Sequence, residues 1–345
     1  MRKPLLAVLV ATILAGILAA QEAAVKAGAG TSPAGEKGQW VSVSDAVLAA
    51  LSGGDTKPNP FTSATAGVTV DRTNGDVYMI VNDKGVWKST DKGATFQGVT
   101  PPKTITGRCE TPFSLNMDPN GGRLMCFMIY GSAGATDDAG KTWAKSKVGH
   151  LDFGAVDWEG TGKVMLAIVH ESGGKLMLTT DGGANWKELG KGFQGPVGVF
   201  DEKTLLAGKK GEGLVRSADG GATWAKVADP GTSAQVVYVF KGAAYLMTEK
   251  GLLASKDKGA TWAVQGAAVK AAIGPYFGKD ENHMVAVGPA GIYRTKDAGK
   301  TWDVVAPLAP RIDYKGAGCC YAWDPVNNIF YASQMGKPTF KLQLQ

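Results

Sequence analysis

Histidine and cysteine are scarce in this chain, with 3 and 4 copies among 345 residues. The histidines (His150, His170, His283) are scattered, and neither Cys-x-x-Cys nor Cys-x-x-Cys-His occurs. Zinc and covalently attached haem are therefore excluded, and no metal or cofactor is expected. Gly-Lys-Thr occurs at Gly140 to Thr142 and at Gly299 to Thr301, but the residue five before each glycine is Ala135 or Arg294 rather than glycine, so no nucleotide-binding loop is read. Charge is modest too: 20% of residues are charged and the formal net charge is +6. Two of those charges, Arg2 and Lys3, lie in a segment expected to be removed, and the remaining +4 is too weak and dispersed for nucleic acid.

Long apolar runs are limited to one. Met1 to Pro4 is a positive start, Leu5 to Ala20 is uncharged and apolar, and small residues lead to a cleavage point at Ala20/Gln21. The run is short for a membrane span and has the layout of an export signal over residues 1–20. No cysteine follows it, which argues against a lipidated start. Residues 21–38, rich in Ala, Gly and Lys, read as a flexible leader. The expected protein is exported, periplasmic or extracellular, without stable membrane insertion after signal removal, and monomeric.

Glycine is in excess, 48 of 345, about twice its usual share. No Gly-X-Y period accompanies it, which excludes collagen and leaves many tight turns as its use. With 44% hydrophobic residues, a sizeable core can be buried under those turns. The turns prove to be repeated. Six segments align without gaps on [Ser/Thr]-x-Asp-x-Gly-x-[Thr/Asn]-[Trp/Phe], beginning at Ser89, Thr136, Thr179, Ser217, Ser255 and Thr295. From Asp91 to Asp297 is 206 residues over five intervals, a mean period near 41.

These residue types suit a hairpin tip. The Asp carboxylate accepts backbone N–H groups within the turn. The Gly two positions later takes φ > 0 without a Cβ penalty. The closing aromatic starts the next strand and packs against a neighbouring unit. A short strand precedes each motif (Gly85 to Lys88, Gly213 to Arg216) and another follows it. Two more are read upstream in each period, such as Val68 to Asp71 and Val77 to Ile80. Four antiparallel strands, A to D, repeated radially every 40 residues or so, make a β-propeller. After the sixth unit, Cys320 to Pro325, Ile329 to Ala332 and Thr339 to Leu342 supply three strands of another. Gln39 to Val43 resembles the missing fourth. The expected fold is all-β: a seven-bladed β-propeller over residues 39–345, six blades carrying the motif, with the ring closed by the N-terminal strand and no open edge. A short helix is expected over Asp45 to Leu51.

The motifs resemble the Asp-box (BNR) repeats of sialidase-like propellers, over roughly residues 39–345. In size, export signal and blade count the chain is most similar to photosystem II stability and assembly factors. The resemblance implies the propeller fold. It does not select an activity, because the repeat also occurs in sialidases, xyloglucanase-type hydrolases and sortilin-type receptors. In the family the Asp-box is structural and faces away from the usual ligand site, which implies a structural role for Asp91, Asp138, Asp181, Asp219, Asp257 and Asp297.

The B–C loops and the D-to-A links share the opposite face, and unusual residues collect there. The expected binding face comprises Arg108, Glu110, His150, Asp152, Arg311, Asp313 and Tyr314, ringing the channel mouth. His170-Glu171 and Lys209-Lys210 stand out among the B–C loops. A sialidase-like site would need three Arg to grip one carboxylate. The mature chain has six; Arg72 and Arg123 fall in A–B turns, and Arg216 and Arg294 precede motifs at the periphery. Arg108 and Arg311 alone remain, so the trio cannot form. A xyloglucanase-like site would use a carboxylate pair, for which Asp152 and Asp313 are the best candidates, with Tyr314 nearby, but the Trp residues that grip such substrates are missing from these loops. Among the cysteines, Cys126 reads as a buried strand residue, while a bridge from Cys109 to Cys319 or Cys320, or between the last two, would clamp the ring. The preferred reading is an exported, non-catalytic binding or assembly propeller with a protein or glycan partner in the cell envelope. A glycoside hydrolase using the carboxylate pair is the alternative.

Overall fold

A computed structural model describes residues 38–51, 64–109, 111–316 and 318–345. The expected signal (1–20) and nearly all of the expected leader (21–38) lie outside the described residues, as does Glu110.

The strands form seven four-stranded antiparallel sheets, each read along the chain except for the last. The innermost strands, A, are Thr65–Val70, Leu115–Met117, Leu151–Val156, Phe193–Val199, Tyr238–Phe240, Ile273–Phe277 and Cys320–Asp324. Blades 1 to 7 follow that order. Strand B of each blade is sandwiched by neighbouring sheets on both faces, so its sequence is a continuous apolar run rather than an alternation. Val77–Val81, Met284–Gly288 and Ile329–Ser333 are buried at every position. Strand D lies at the rim and is largely exposed, as in Ala144–Lys145 and Lys187–Gly190.

The seventh blade closes the ring as expected from sequence. Trp40–Ser42 pairs with Phe340–Gln343 in the register Trp40↔Leu342, Val41↔Lys341 and Ser42↔Phe340. Two further bonds extend the seam, Val43 N–H to the Thr339 carbonyl (2.8 Å) and Thr339 N–H to Ser44 Oγ (2.9 Å). The only helix among the described residues, α1 (Asp45–Leu51), follows at once, with Asp45 in its first turn, the sign that its dipole favours.

Blade 5 shows what the repeated motif builds. Ser255 Oγ donates to Asp257 Oδ1 (2.8 Å) and accepts the Gly259 N–H (2.9 Å). Thr261 gives its N–H to Oδ1 (2.9 Å) and its hydroxyl to Oδ2 (2.6 Å). Trp262 Nε1 closes the turn on the Gly259 carbonyl at 3.1 Å. The same bonds to the carboxylate recur around the other five aspartates, with Asn185 in place of Thr at Asp181, and the indole bond recurs at Trp143, Trp186 and Trp224. For Asp138, Asp219 and Asp257 the Thr hydroxyl, then the Thr N–H, holds the carboxyl down at about 2. For Asp181 and Asp297 the backbone N–H of Asn185 and Thr301 leads, again to about 2. At Asp91 burial opposes the shift, but the Thr95 and Ser89 bonds still hold the carboxyl below its ordinary value. All six therefore act as charged turn acceptors.

Two successive residues of every motif turn are left-handed. The residue after the Asp has φ between 53° and 76°, and is Lys92, Ala139, Gly182, Gly220, Lys258 or Ala298. The glycine that follows has φ between 77° and 92°. Only the second position is always glycine, because it also meets the preceding blade. A Cβ on Gly259 would stand 2.8 and 2.9 Å from the two Cδ atoms of Leu206, and one on Gly221 would stand 2.6 Å from Leu189 Cδ1.

The cysteines correct an expectation. Cys109, Cys126, Cys319 and Cys320 are all buried free thiols. Cys109 Sγ turns to Met128 Sδ (3.7 Å), Cys320 Sγ to the Thr111 carbonyl (3.2 Å), and Cys319 Sγ to the Tyr314 carbonyl (3.6 Å). The links do come close, as expected, but each sulfur is aimed at a different partner, so neither expected bridge forms. Burial drives the Cys319 thiol up to about 12, which leaves it protonated and unreactive.

Candidate functional site

Beneath the face of B–C loops and D-to-A links the channel holds an aromatic stopper. The link into blade 2 runs inward and places Phe113, at φ 66°, in the channel. Its ring stacks on Tyr276 at 5.5 Å and tilts toward Tyr238 at 6.2 Å. Phe277 continues the stopper from Tyr238 (5.3 Å) to Phe240 (4.4 Å). The backbone bends inward because polar groups tether it: Thr111 Oγ1 and Ser114 Oγ both donate to the Asp152 carbonyl, at 2.9 and 2.8 Å.

The expected binding residues fall into two clusters on either side of this stopper, not one ring. The first lies between blades 2 and 3. Asp152 stands in strand A of blade 3, and its Oδ1 is 2.6 Å from Nδ1 of His170, at the end of strand B. Nε2 of His170 is 3.0 Å from the Tyr130 hydroxyl. His150, the residue before strand A, stacks on His170 at 5.3 Å and 21°, and its ring is 4.7 Å from that of Tyr130. The Arg108 guanidinium carbon is 4.6 Å from the Tyr130 ring centre. Thus Arg108, His150 and Asp152 are brought together, joined by His170-Glu171 from the adjoining B–C loop.

Three of these residues carry unusual backbones. Tyr130, His150 and Glu171 have φ of 52°, 62° and 50°, a region that side chains other than Gly, Asn and Asp rarely enter. His150 Nδ1 is buried with no hydrogen-bond partner, a costly state outside functional sites. Tyr130 is 48% exposed. Sequence reasoning missed it. An aromatic placed before Gly131 in a B–C loop was the available signal, but nothing in the repeat marks that position.

The second cluster lies at the entry to blade 7. Asp313 is 3.5 Å from Lys337 Nζ, and its N–H donates to Gln334 Oε1 (3.1 Å). Lys337 also donates to the Arg311 carbonyl. Lys315 pairs with Glu249 and lies over the Tyr314 ring (5.3 Å). Burial pushes the Tyr314 phenol up to about 12. Asp152 is held by His170 and Asp313 by Lys337, and the two belong to separate clusters. Among the described residues no group of three or more His, Cys, Asp or Glu is placed to hold a metal ion.

The opposite end of the channel carries a cavity. It measures about 520 Å³ and sits among the A–B turns, lined by Arg72, Glu159, Phe240, Lys241, Lys279 and Val326 among others. Arg72 lies over Phe240 at 4.7 Å and donates to the Gly278 carbonyl. Burial lowers its pKa from the ordinary value. Both Glu159 oxygens accept the Gly242 N–H, at 2.9 and 3.0 Å. This cavity was not legible in the sequence, because its lining comes from turns of several blades that read singly as structural.

No family model matches the chain, and no curated protein is similar enough in sequence to count as a relative. Solved structures do resemble it. YCF48 bound to a D1 peptide is 14% identical, over 90% of this chain and 99% of that one, with a TM-score of 0.50. The β-propeller domain of Cps50 (Swd1) from Myceliophteria thermophila is 11% identical, over 81% and 96%, with a TM-score of 0.55. An oligogalacturonate lyase in complex with manganese is 10% identical, over 91% and 95%, also with a TM-score of 0.55. At such identities the likeness is one of fold.

Proposed function

We propose that this is an exported binding or assembly propeller of the Asp-box type, monomeric, that docks a protein partner on its B–C-loop face. The observation that supports this most directly is the cluster of Arg108, Tyr130, His150 and His170. It presents a half-exposed aromatic with cationic and hydrogen-bonding neighbours, the residue types that anchor interfaces. Phe113 fills the channel beneath this face, which suits a docked chain segment better than a long polysaccharide. YCF48, solved with a D1 peptide, is a propeller of similar shape that takes such a segment. Export rests on the positive start and apolar run of residues 1–20.

The glycosidase alternative is the weaker reading. Such an enzyme holds two carboxyls within about 5–10 Å across the scissile bond, whereas Asp152 and Asp313 are each engaged in their own cluster. The reading is tested by affinity capture of the protein from its own envelope extract, with mass spectrometry of what is retained. A stoichiometric protein, lost with Arg108→Ala and Tyr130→Ala, is expected. Retention unchanged by both variants, or hydrolysis of a glycan panel that Asp313→Asn abolishes, would overturn it.

A further inference from the structure

Beyond binding, the first cluster has the layout of a covalent catalytic centre. A carboxylate can only accept, so Asp152 fixes the proton of His170 on Nδ1, across 2.6 Å. In the neutral imidazole this leaves the lone pair on Nε2, 3.0 Å from the Tyr130 hydroxyl, which then donates to it. This is the carboxylate–imidazole–hydroxyl chain of nucleophilic catalysis, with a phenol in the nucleophile's place. The Glu171 carboxylate, 3.6 Å from the same nitrogen, gives an imidazolium formed there a second anion. The Arg108 guanidinium lies over the Tyr130 ring at 4.6 Å, a cation held against the aromatic face. Tyr130 also sits on a left-handed backbone, φ 52°, directly before Gly131, which projects its hydroxyl from the loop. Strained, non-glycine backbones at a site are a pointer to function, and here three of them converge.

We infer that Tyr130 is an acyl-accepting nucleophile served by His170 and Asp152, and that the site hydrolyses carboxylic esters. The Tyr130 oxygen attacks the ester carbonyl carbon while its proton passes to His170 Nε2, and the carbonyl π pair moves onto oxygen. Collapse of that intermediate expels the alcohol oxygen, which takes the proton back from His170 and leaves acyl-Tyr130. Water, deprotonated by the same nitrogen, attacks the acyl carbon. The Tyr130 phenolate departs and regains the proton. The sum is ester plus water giving acid plus alcohol, with no oxidant or reductant. Asp152 is a positioning residue: it holds the tautomer and steadies the imidazolium, without touching the ester.

The test uses the purified protein and p-nitrophenyl acetate. A rapid burst of about one equivalent of p-nitrophenolate per chain is expected, with peptide mapping placing a single acetyl group on Tyr130. Tyr130→Phe should abolish both burst and label. His170→Gln and Asp152→Asn should slow acylation by about 10²-fold or more, with the label still confined to Tyr130. Tyr130 is partly exposed, so its variant should fold, and an unchanged unfolding midpoint checks that. Absence of a burst would overturn the proposal. So would hydrolysis undiminished in Tyr130→Phe, which would mark His170 as a lone imidazole catalyst. Loss of ester chemistry with partner capture intact would leave the docking reading standing.

Discussion

Gly259→Ala isolates the packing that joins one blade to the next. Gly259 has φ 77°, and an added Cβ would stand 2.8, 2.9 and 3.2 Å from Leu206 Cδ1, Cδ2 and Cγ. Leu206 is fully buried, so it cannot swing away. The left-handed backbone should cost about 1–2 kcal/mol, and forcing one methyl into a filled interface about 1–3 kcal/mol. The total, about 2–5 kcal/mol, should appear as a lower denaturant midpoint in urea unfolding followed by tryptophan fluorescence, at unchanged slope. Leu206→Ala alone should cost about 2–5 kcal/mol. Combined, the two should cost less than their sum by about 1–2 kcal/mol, because the small residue makes room for the added methyl. The control is Gly182→Ala, also left-handed at φ 76°, where a Cβ would meet nothing nearer than Lys163 Cγ at 3.9 Å. The same position carries Ala139 and Ala298 in other blades. It should cost only the backbone term, about 1–2 kcal/mol, without the packing term. Equal losses for Gly182→Ala and Gly259→Ala, or strict additivity with Leu206→Ala, would refute the claim that the motif glycine is required by contact between blades.

The turn carboxyls of Asp138, Asp181, Asp219, Asp257 and Asp297 are held down at about 2, below an unfolded value of about 3.9. Their contribution is therefore present above about pH 4 and lost as pH falls through about 2; unfolding midpoints measured from pH 6 to pH 2 should drop across that window, and a flat profile would contradict it. Removing residues 38–43 should bare the Phe340–Gln343 edge and make the ring self-associate with rising concentration in sedimentation velocity; a chain that stays monomeric would show that the seam is dispensable. Thiol titration should find four reactive cysteines in denaturant without reductant and almost none in the native protein, since all four are buried and free; two or fewer in denaturant would mean a bridge.

The fold was legible to a degree unusual for so irregular a function. Six copies of an eight-residue motif, each with an Asp, a Gly and an aromatic at fixed offsets, determine a hairpin locally and a ring by repetition. Even the closing strand was readable, because Trp40–Ser42 repeats the pattern that follows each motif. The face was less legible. Sequence could place Arg108, His150 and Asp152 on one side of the ring, since strand order fixes which loops share a face. It could not show that Phe113 turns inward and divides that face, because the bend depends on Thr111 and Ser114 reaching the Asp152 carbonyl. Nor could it show Tyr130 meeting His170, a contact between two blades 40 residues apart. The cavity beside Arg72, Lys241 and Lys279 was hidden for the same reason: its walls are assembled from turns of different blades. The cysteine links were placed correctly, but sulfur direction is set by side-chain packing and is invisible in spacing.

Hydrogen–deuterium exchange of the protein with and without its captured partner tests the docking face most directly. Binding at the Arg108–Tyr130–His150 cluster predicts slowed exchange in the segments around residues 105–109, 128–132, 150–153 and 169–172, with the A–B turns unchanged. Slowed exchange confined to the turns bearing Arg72, Lys241 and Lys279 would contradict it and move the partner to the opposite mouth of the channel.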